Sequence, residues 1–476
     1  MDRRYTNPDA MFDGRSYPKG AWIVHMLRHR LGEDSFWKGI KNYAVDNRFR
    51  SVESYDLRRS LERASGRDLE RFFYDWVERP GSPNLEVTTE YLADSDQAKL
   101  TVKQTQGGEA FEFPLKIVLT CAGGKEPVVL DEMMREKELN YRLPLPGRLE
   151  RIDIDPDQAV LMELKETKAK ELWRAQLLES PTVPARLRAV KHFSESKLSD
   201  DHELLTQAFA REKFWGVKKE LADALGNVKG VAAKKALFNG MKDPDARIRR
   251  SCVDALGKFG EDAEIATFVK EKLAKGDASY AVEGALLSAY SQQHQKDAVA
   301  VISPWLSKPS HRDTFSVSAL TALGATDDPA VLATLLSWTK PEKPNQCQAA
   351  ALRGLSQLAK SKRMTDEHRK QIVDMLLGAL KSEDRMKRFS AIRALPELGA
   401  LAAPALPTLD KLAQDQSLGR MSQMIKSAAD KIRAESGSKP ASDVSEVSRL
   451  RDEVKRLERS QDDLRKRLEK FENAKR

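Results

Sequence analysis

The phenol of Tyr17 stands in Ser16-Tyr17-Pro18-Lys19-Gly20, just where a helix opens. A neutral phenol donates a hydrogen bond, and that bond strengthens as negative charge develops on its acceptor. Taken alone, a Tyr ahead of a helix reads as a half-buried structural residue. His25 and His29 have the i, i+4 spacing that sets two imidazoles on one helix face, as a zinc site needs. Met26 follows His25, so no carboxylate base stands between them, and no third ligand is apparent. They read as ordinary helix-face histidines. His202-Glu203 begins a similar pair, but position 206 is Thr. Cys121, Cys252 and Cys347 are odd in number and far apart, so they read as buried small hydrophobes, not as a disulfide frame or a zinc knot. The sequence has no Gly-rich phosphate loop, no dinucleotide fingerprint and no nucleophile elbow.

A chain of 476 residues has room for about three domains of roughly 150 residues each. No apolar run is long enough to span a membrane. Residues 1–13 include Asp2, Arg3, Arg4, Asp9 and Asp13 and have no apolar core, so no signal peptide is visible. The net charge of +9 comes from 81 basic residues interspersed with 72 acidic ones. That pattern describes a solvated mixed-charge surface, and a nucleic-acid partner is not expected from it.

The elements that would position Tyr17 are helical. Ala21, Val24, Leu27 and Leu31 recur on one face, widened by Trp22, Ile23 and Met26, and Gly32 is a stop. A second helix turns Phe36, Ile40, Tyr43 and Ala44 inward. A third carries Leu57, Leu61 and Ala64 and stops at Gly66. Asp68 caps a fourth, with Leu69, Phe72, Phe73 and Trp76 on its apolar face. After Pro80-Gly81-Ser82-Pro83 the period changes to two. Leu85, Val87 and Thr89 alternate, as do Leu100, Val102 and Gln104, and the run from Phe111 through Phe113, Leu115 and Ile117 to Leu119 alternates most clearly. Residues 128–130, 140–143 and 149–154 add strands, so 84–163 is expected to be a small β-sandwich.

From about 165 to 433 the chain is helical and repetitive. Phe193, Leu225, Leu256, Tyr290, Leu323, Leu355 and Leu395 mark one phase, with steps of 31 to 34 residues and a last step of 40. Such steps describe stacked helix pairs, each too small to bury its own apolar face. The pattern resembles HEAT and armadillo-like repeats, which implies an α-solenoid and says little about function; a protein partner on the repeat helices is a separate expectation. Residues 434–446 read as a linker. Val447, Val454, Gln461 and Leu468 then alternate with Leu450, Leu457, Leu464 and Phe471 at heptad spacing, so 447–476 is expected to be a coiled coil that drives self-association.

A second resemblance covers the front of the chain. Tyr17-Pro18-Lys19-Gly20-Ala21, Leu31-Gly32, Phe36, Tyr43, Asp56-Leu57, Leu61-Glu62, Ser65-Gly66, Asp68-Leu69, Phe72-Phe73, Trp76 and Gly81-Ser82-Pro83 resemble the aminopeptidase N family of zinc metallopeptidases. The resemblance implies a multidomain α+β architecture. In it, residues 1–83 are the last helices of a thermolysin-like catalytic domain, followed by the sandwich and the repeats. It also implies that Tyr17 hydrogen-bonds the oxygen of the tetrahedral intermediate formed when zinc-activated water attacks a peptide carbonyl. Many members have Glu where this chain has Pro18, a position outside the chemistry.

The family's His-Glu-x-x-His and its further Glu ligand lie upstream of the Tyr. Here only 16 residues precede Tyr17 and none is His. The expectation is therefore that this chain binds no zinc and is inactive alone. It would contribute its Tyr to a complete, zinc-containing enzyme whose other portion is a partner. Met1 is expected to be an internal start or the edge of a truncated gene product, which leaves the compartment open. The alternative expectation is a non-catalytic HEAT-repeat scaffold that oligomerises through residues 447–471.

Overall fold

In the computed structural model, which describes residues 15–437 except 125, 416, 417 and 419, the front of the chain is a helical block closed by glycine stops. Its helices are α1 (Gly20–Leu31), α2 (Glu33–Asp46), α3 (Ser54–Ser65) and the short α4 (Glu70–Phe73). Gly32 and Gly66 sit at φ 77° and 68°, where a side chain would be strained, and end α1 and α3. Asp68 accepts the Glu70 N–H at 2.7 Å, but it stands one residue ahead of the cap position of α4, which Leu69 occupies without a side-chain cap bond. A single wide turn, Tyr74–Glu78, continues α4.

The inward stripe of α1 is narrower than its sequence suggests. Met26, Leu27 and Leu31 are buried, but Ala21 and Val24 are exposed, because α1 packs on one side only and Val24 borders a cleft. Ala44 of α2 is exposed as well, while Gly39 is buried against Leu61.

Two sheets follow. β1 (Asn84–Leu92), β2 (Gln97–Gln104), β5 (Glu138–Pro144) and β7 (Glu163–Thr167) form one, in the order β5-β2-β1-β7; β3 (Phe113–Cys121), β4 (Val128–Met134) and β6 (Leu149–Ile154) form the other, in the order β4-β3-β6. β7 is absent from the sequence reading. It is a short strand with its neighbour on one side only, parallel to β1, and it carries charged residues. Leu85, Val87, Leu100 and Val102 of the first sheet share a core with Phe113, Leu115, Ile117, Leu119 and Ile152 of the second. This is the face-to-face packing of a sandwich.

That core also takes in the helical block. Trp76 is fully buried, 5.3 Å from Phe111 and 6.4 Å from Phe113 between ring centroids. Beside it the buried Asp75 carboxylate lies 3.2 Å from both Arg71 Nε and Arg79 Nε and accepts the Glu112 N–H at 3.0 Å. The helices are thereby pinned to the sandwich edge.

Two compact units divide between Lys296 and Asp297. The first continues with α5 (Lys170–Glu179), α6 (Val183–Ser194), α7 (Ser199–Arg211), α8 (Trp215–Val228), α9 (Val231–Gly240), α10 (Ala246–Gly257), α11 (Ala263–Lys275) and α12 (Tyr280–Ser291). The second holds α13 (Ala298–Ile302), α14 (Thr314–Gly324), α15 (Leu332–Ser337), α16 (Asn345–Leu358), α17 (Asp366–Leu380), α18 (Arg385–Ala394), α19 (Leu406–Ala413) and α20 (Arg420–Ser436). The seven residues of the repeat phase are all buried, on the second helix of each pair or, for Leu395, just past its end. Small residues let those helices meet. A Cβ on Gly226 would fall 2.9 Å from Ala255, and one on Gly354 would fall 2.6 Å from the Leu320 carbonyl oxygen.

In the first unit the repeats are also tied by ions. Arg186 pairs with Glu212, Lys218 with Asp243 and Arg249 with Asp277, each linking one second helix to the turn before the next. In the second unit α20 runs to Ser436 and stops at Gly437, φ 65°, so residues 434–436 continue a helix and do not begin a linker. The heptads of 447–476 lie outside the described residues.

Candidate functional site

Pro18 has no N–H to offer a regular helical turn, and the chain takes one wide turn, Arg15–Lys19, before α1 begins at Gly20. Lys19 anchors that turn: its ammonium donates to the Gly81 carbonyl at 3.1 Å. The two sequence signatures at either end of the helical block, Tyr17 to Gly20 and Gly81 to Pro83, thus meet in space. Tyr17 itself is 70% exposed. Its side chain stands in solvent at the mouth of α1, not within the packing.

A cleft of about 840 Å³ begins at Lys19 and Gly20 and is lined by Ile23, Val24, Leu57, Phe73, Trp76 and Pro80 among others; Tyr17 is not part of its lining. Its walls are mostly apolar. The Trp76 indole N–H is buried and has no hydrogen-bond partner.

Two of the histidines singled out by spacing, His25 and His202, are occupied elsewhere. His25 Nε2 donates to the Gln158 carbonyl at 3.0 Å and so ties α1 to the loop after β6. In that loop the buried Asp155 accepts the Ala159 and Val160 N–H groups at 2.8 and 3.2 Å. Burial pushes its carboxyl above the usual range, against the pull of those two donors. His202 Nε2 bonds the Ser196 carbonyl at 2.9 Å, and the Thr206 hydroxyl bonds the His202 carbonyl of its own helix.

Among the described residues, no three His, Cys, Asp or Glu side chains are grouped to hold a metal ion. With His25 engaged at Gln158, and with Asp155 near His29 but accepting the Ala159 and Val160 N–H groups, the described residues do not fit a zinc ion. The three cysteines are buried and unbridged. Burial raises the Cys252 thiol to about 12 and the Cys347 thiol to about 11, so neither offers a thiolate.

Sequence reading passed over Asp75 with its two arginines. The signal was there: Arg71, Asp75 and Arg79 stand at successive i, i+4 positions among aromatics, where a carboxylate between two cations can be buried. It also passed over the ion pairs between repeats, although Arg186, Lys218 and Arg249 are spaced as the repeat phase is.

Residues 3–76 match the Peptidase family M1 domain, and residues 202–271 match HEAT repeats. Aminopeptidase N of Lactococcus lactis subsp. lactis is 35% identical over 101 residues, 21% of this chain and 12% of that protein. Probable aminopeptidase 1 of Saccharolobus solfataricus is 37% identical over 138 residues, 28% of this chain and 17% of that one. Each match therefore takes in a small part of the relative. The crystal structure of Legionella pneumophila aminopeptidase A in complex with aspartic acid aligns with 90% of this chain and 58% of that chain, at a TM-score of 0.61 and 16% identity, a likeness of fold. On these matches the chain is aminopeptidase N-like, with a peptidase family M1 segment at its front and helical repeats behind.

Proposed function

We propose that this chain is the carboxyl-terminal part of a zinc-dependent aminopeptidase, an enzyme that hydrolyses amino-terminal residues from peptides. The observation that carries the reading is the exposed Tyr17 phenol, held at the opening of α1 by the Lys19–Gly81 bond, in a segment that matches the M1 peptidase domain. In that role the hydroxyl donates to the oxygen on which negative charge builds as a peptide carbonyl becomes tetrahedral. A fixed donor there lowers the barrier because it bonds the charged oxygen more strongly than the neutral one. The metal belongs to a His-Glu-x-x-His segment that these 476 residues do not contain, and a polypeptide carrying it is the partner. The chain alone is then inactive.

A second reading is a HEAT-repeat scaffold that self-associates through 447–471. The buried repeat phase favours it, and so does the match to HEAT repeats over 202–271. Zinc content and amino-acid release from aminoacyl reporters test the first reading on the purified chain. Less than stoichiometric zinc and no release are expected. Turnover that a chelator abolishes would overturn the claim of inactivity alone.

A further inference from the structure

Opposite charges are interspersed along most of the chain, and two neighbouring helices of the second unit depart from that rule. α16 carries Arg353; α18 carries Arg385, Lys387, Arg388 and Arg393; neither contains an Asp or Glu. The two helices pack together. Arg353 and Arg393 occupy the same repeat position, two residues before the buried Leu355 and Leu395, so stacking brings their charges close. Burial and the nearby Arg393 both lower the pKa of Arg353, the mark of a cation without a compensating carboxylate.

Arg385, Phe389 and Arg393 recur every fourth residue and make one stripe of α18. The Arg393 guanidinium lies 5.6 Å from the Phe389 ring centroid. Lys387 is satisfied by the Thr339 carbonyl at 3.0 Å, whereas the buried Arg388 Nε has no hydrogen-bond partner. Among the described residues no carboxylate pairs with any of the four arginines. Other basic side chains of this unit do find acids: Lys360 and Lys431 share Glu397, and Arg433 bonds Asp410 and Asp430.

We propose that the α16–α18 face docks an acidic segment of a partner polypeptide. Its carboxylates sit on Arg353, Arg385 and Arg393, and an apolar side chain lies against Phe389. Guanidinium forks match carboxylates with two parallel bonds, and a bound acid relieves the repulsion between the arginines. A phosphate backbone fits less well. The same repeat position in α14 is Thr321, so the stripe spans two repeats and cannot track a long polyanion.

The test uses the full chain and a fluorescent octaglutamate peptide with one central Phe, read by anisotropy. Binding is expected at low salt and should weaken as salt rises. It should fall by roughly tenfold or more in the Arg353→Gln/Arg393→Gln double variant, which removes two charge-assisted contacts. Arg353→Lys/Arg393→Lys should retain more of the binding. Lys235→Gln/Lys242→Gln, which removes the same charge in the first unit, should leave binding unchanged. The proposal is overturned by absence of binding at low salt or by an equal loss in the lysine variant. It is also overturned if a duplex oligonucleotide binds more tightly with the same arginine dependence.

Discussion

Tyr17 and Asp75 show two ways in which a polar side chain is placed by this fold. Tyr17 projects from a turn that Pro18 forces wide and Lys19 ties down, and its side chain is largely exposed. Asp75 is sealed, and its stability rests on Arg71, Arg79 and the Glu112 N–H. Replacing it by Asn leaves two cations beside a neutral amide. Asp75→Asn should cost about 3 kcal/mol, as breaking a buried pair does, read as a lower urea midpoint with Tyr17 exposure unchanged. The difference between the two residues was only half legible in sequence. The surrounding motif pointed to Tyr17, since a lone tyrosine says nothing about exposure. Asp75 was missed because an acid in an aromatic stripe looks like a solvated position until its flanking arginines are counted. His25 was weighed as a ligand by spacing alone; its bond to Gln158, a residue 133 positions away, is tertiary and no local pattern encodes it.

At the level of elements, periodicity served best where packing is local. Gly32 and Gly66 end their helices, and every marker of the repeat phase is buried, because a helix pair must hide the same stripe in each copy. It served worst at edges. Ala21, Val24 and Ala44 fit a helical stripe but face outward, and β7 pairs on one side only, so its burial pattern is weak. The ion pairs between repeats are elements of stability in their own right. Arg249 grips Asp277 through two bonds of 2.8 and 2.9 Å, and the Ser279 N–H adds a third at 2.8 Å. Arg249 holds the Asp277 carboxyl below its usual range. The contribution of a depressed carboxyl is present above its unfolded value and is lost as pH falls through its folded one. Asp277→Asn should therefore destabilise the chain by roughly 1.5–3 kcal/mol at neutral pH, the range for a hydrogen bond to a charged group. The gap from the parent should close as pH falls below about 4, the ordinary Asp value. A gap independent of pH would mean that the charge is not what stabilises.

For the whole molecule, order along the chain carries the argument: helical block, sandwich, repeats. That order was readable because the hydrophobic period switches from 3.6 to 2 and back, and the solved aminopeptidase aligns with nearly all of it. The division between Lys296 and Asp297 was not readable, since the repeat phase passes through it without a change of composition. Self-association is proposed to lie in the heptads, and deleting 444–476 should reduce particle mass in light scattering; an unchanged mass would remove the coil from the account.

Tyr17 as an oxyanion donor remains the claim on which the peptidase reading turns. The direct measurement is turnover of an assembly in which this chain is joined by the zinc-bearing portion, with and without Tyr17→Phe. A drop of roughly 10²–10³ with zinc content unchanged is predicted, the loss typical of removing one such donor. Turnover that survives the substitution would contradict the assignment.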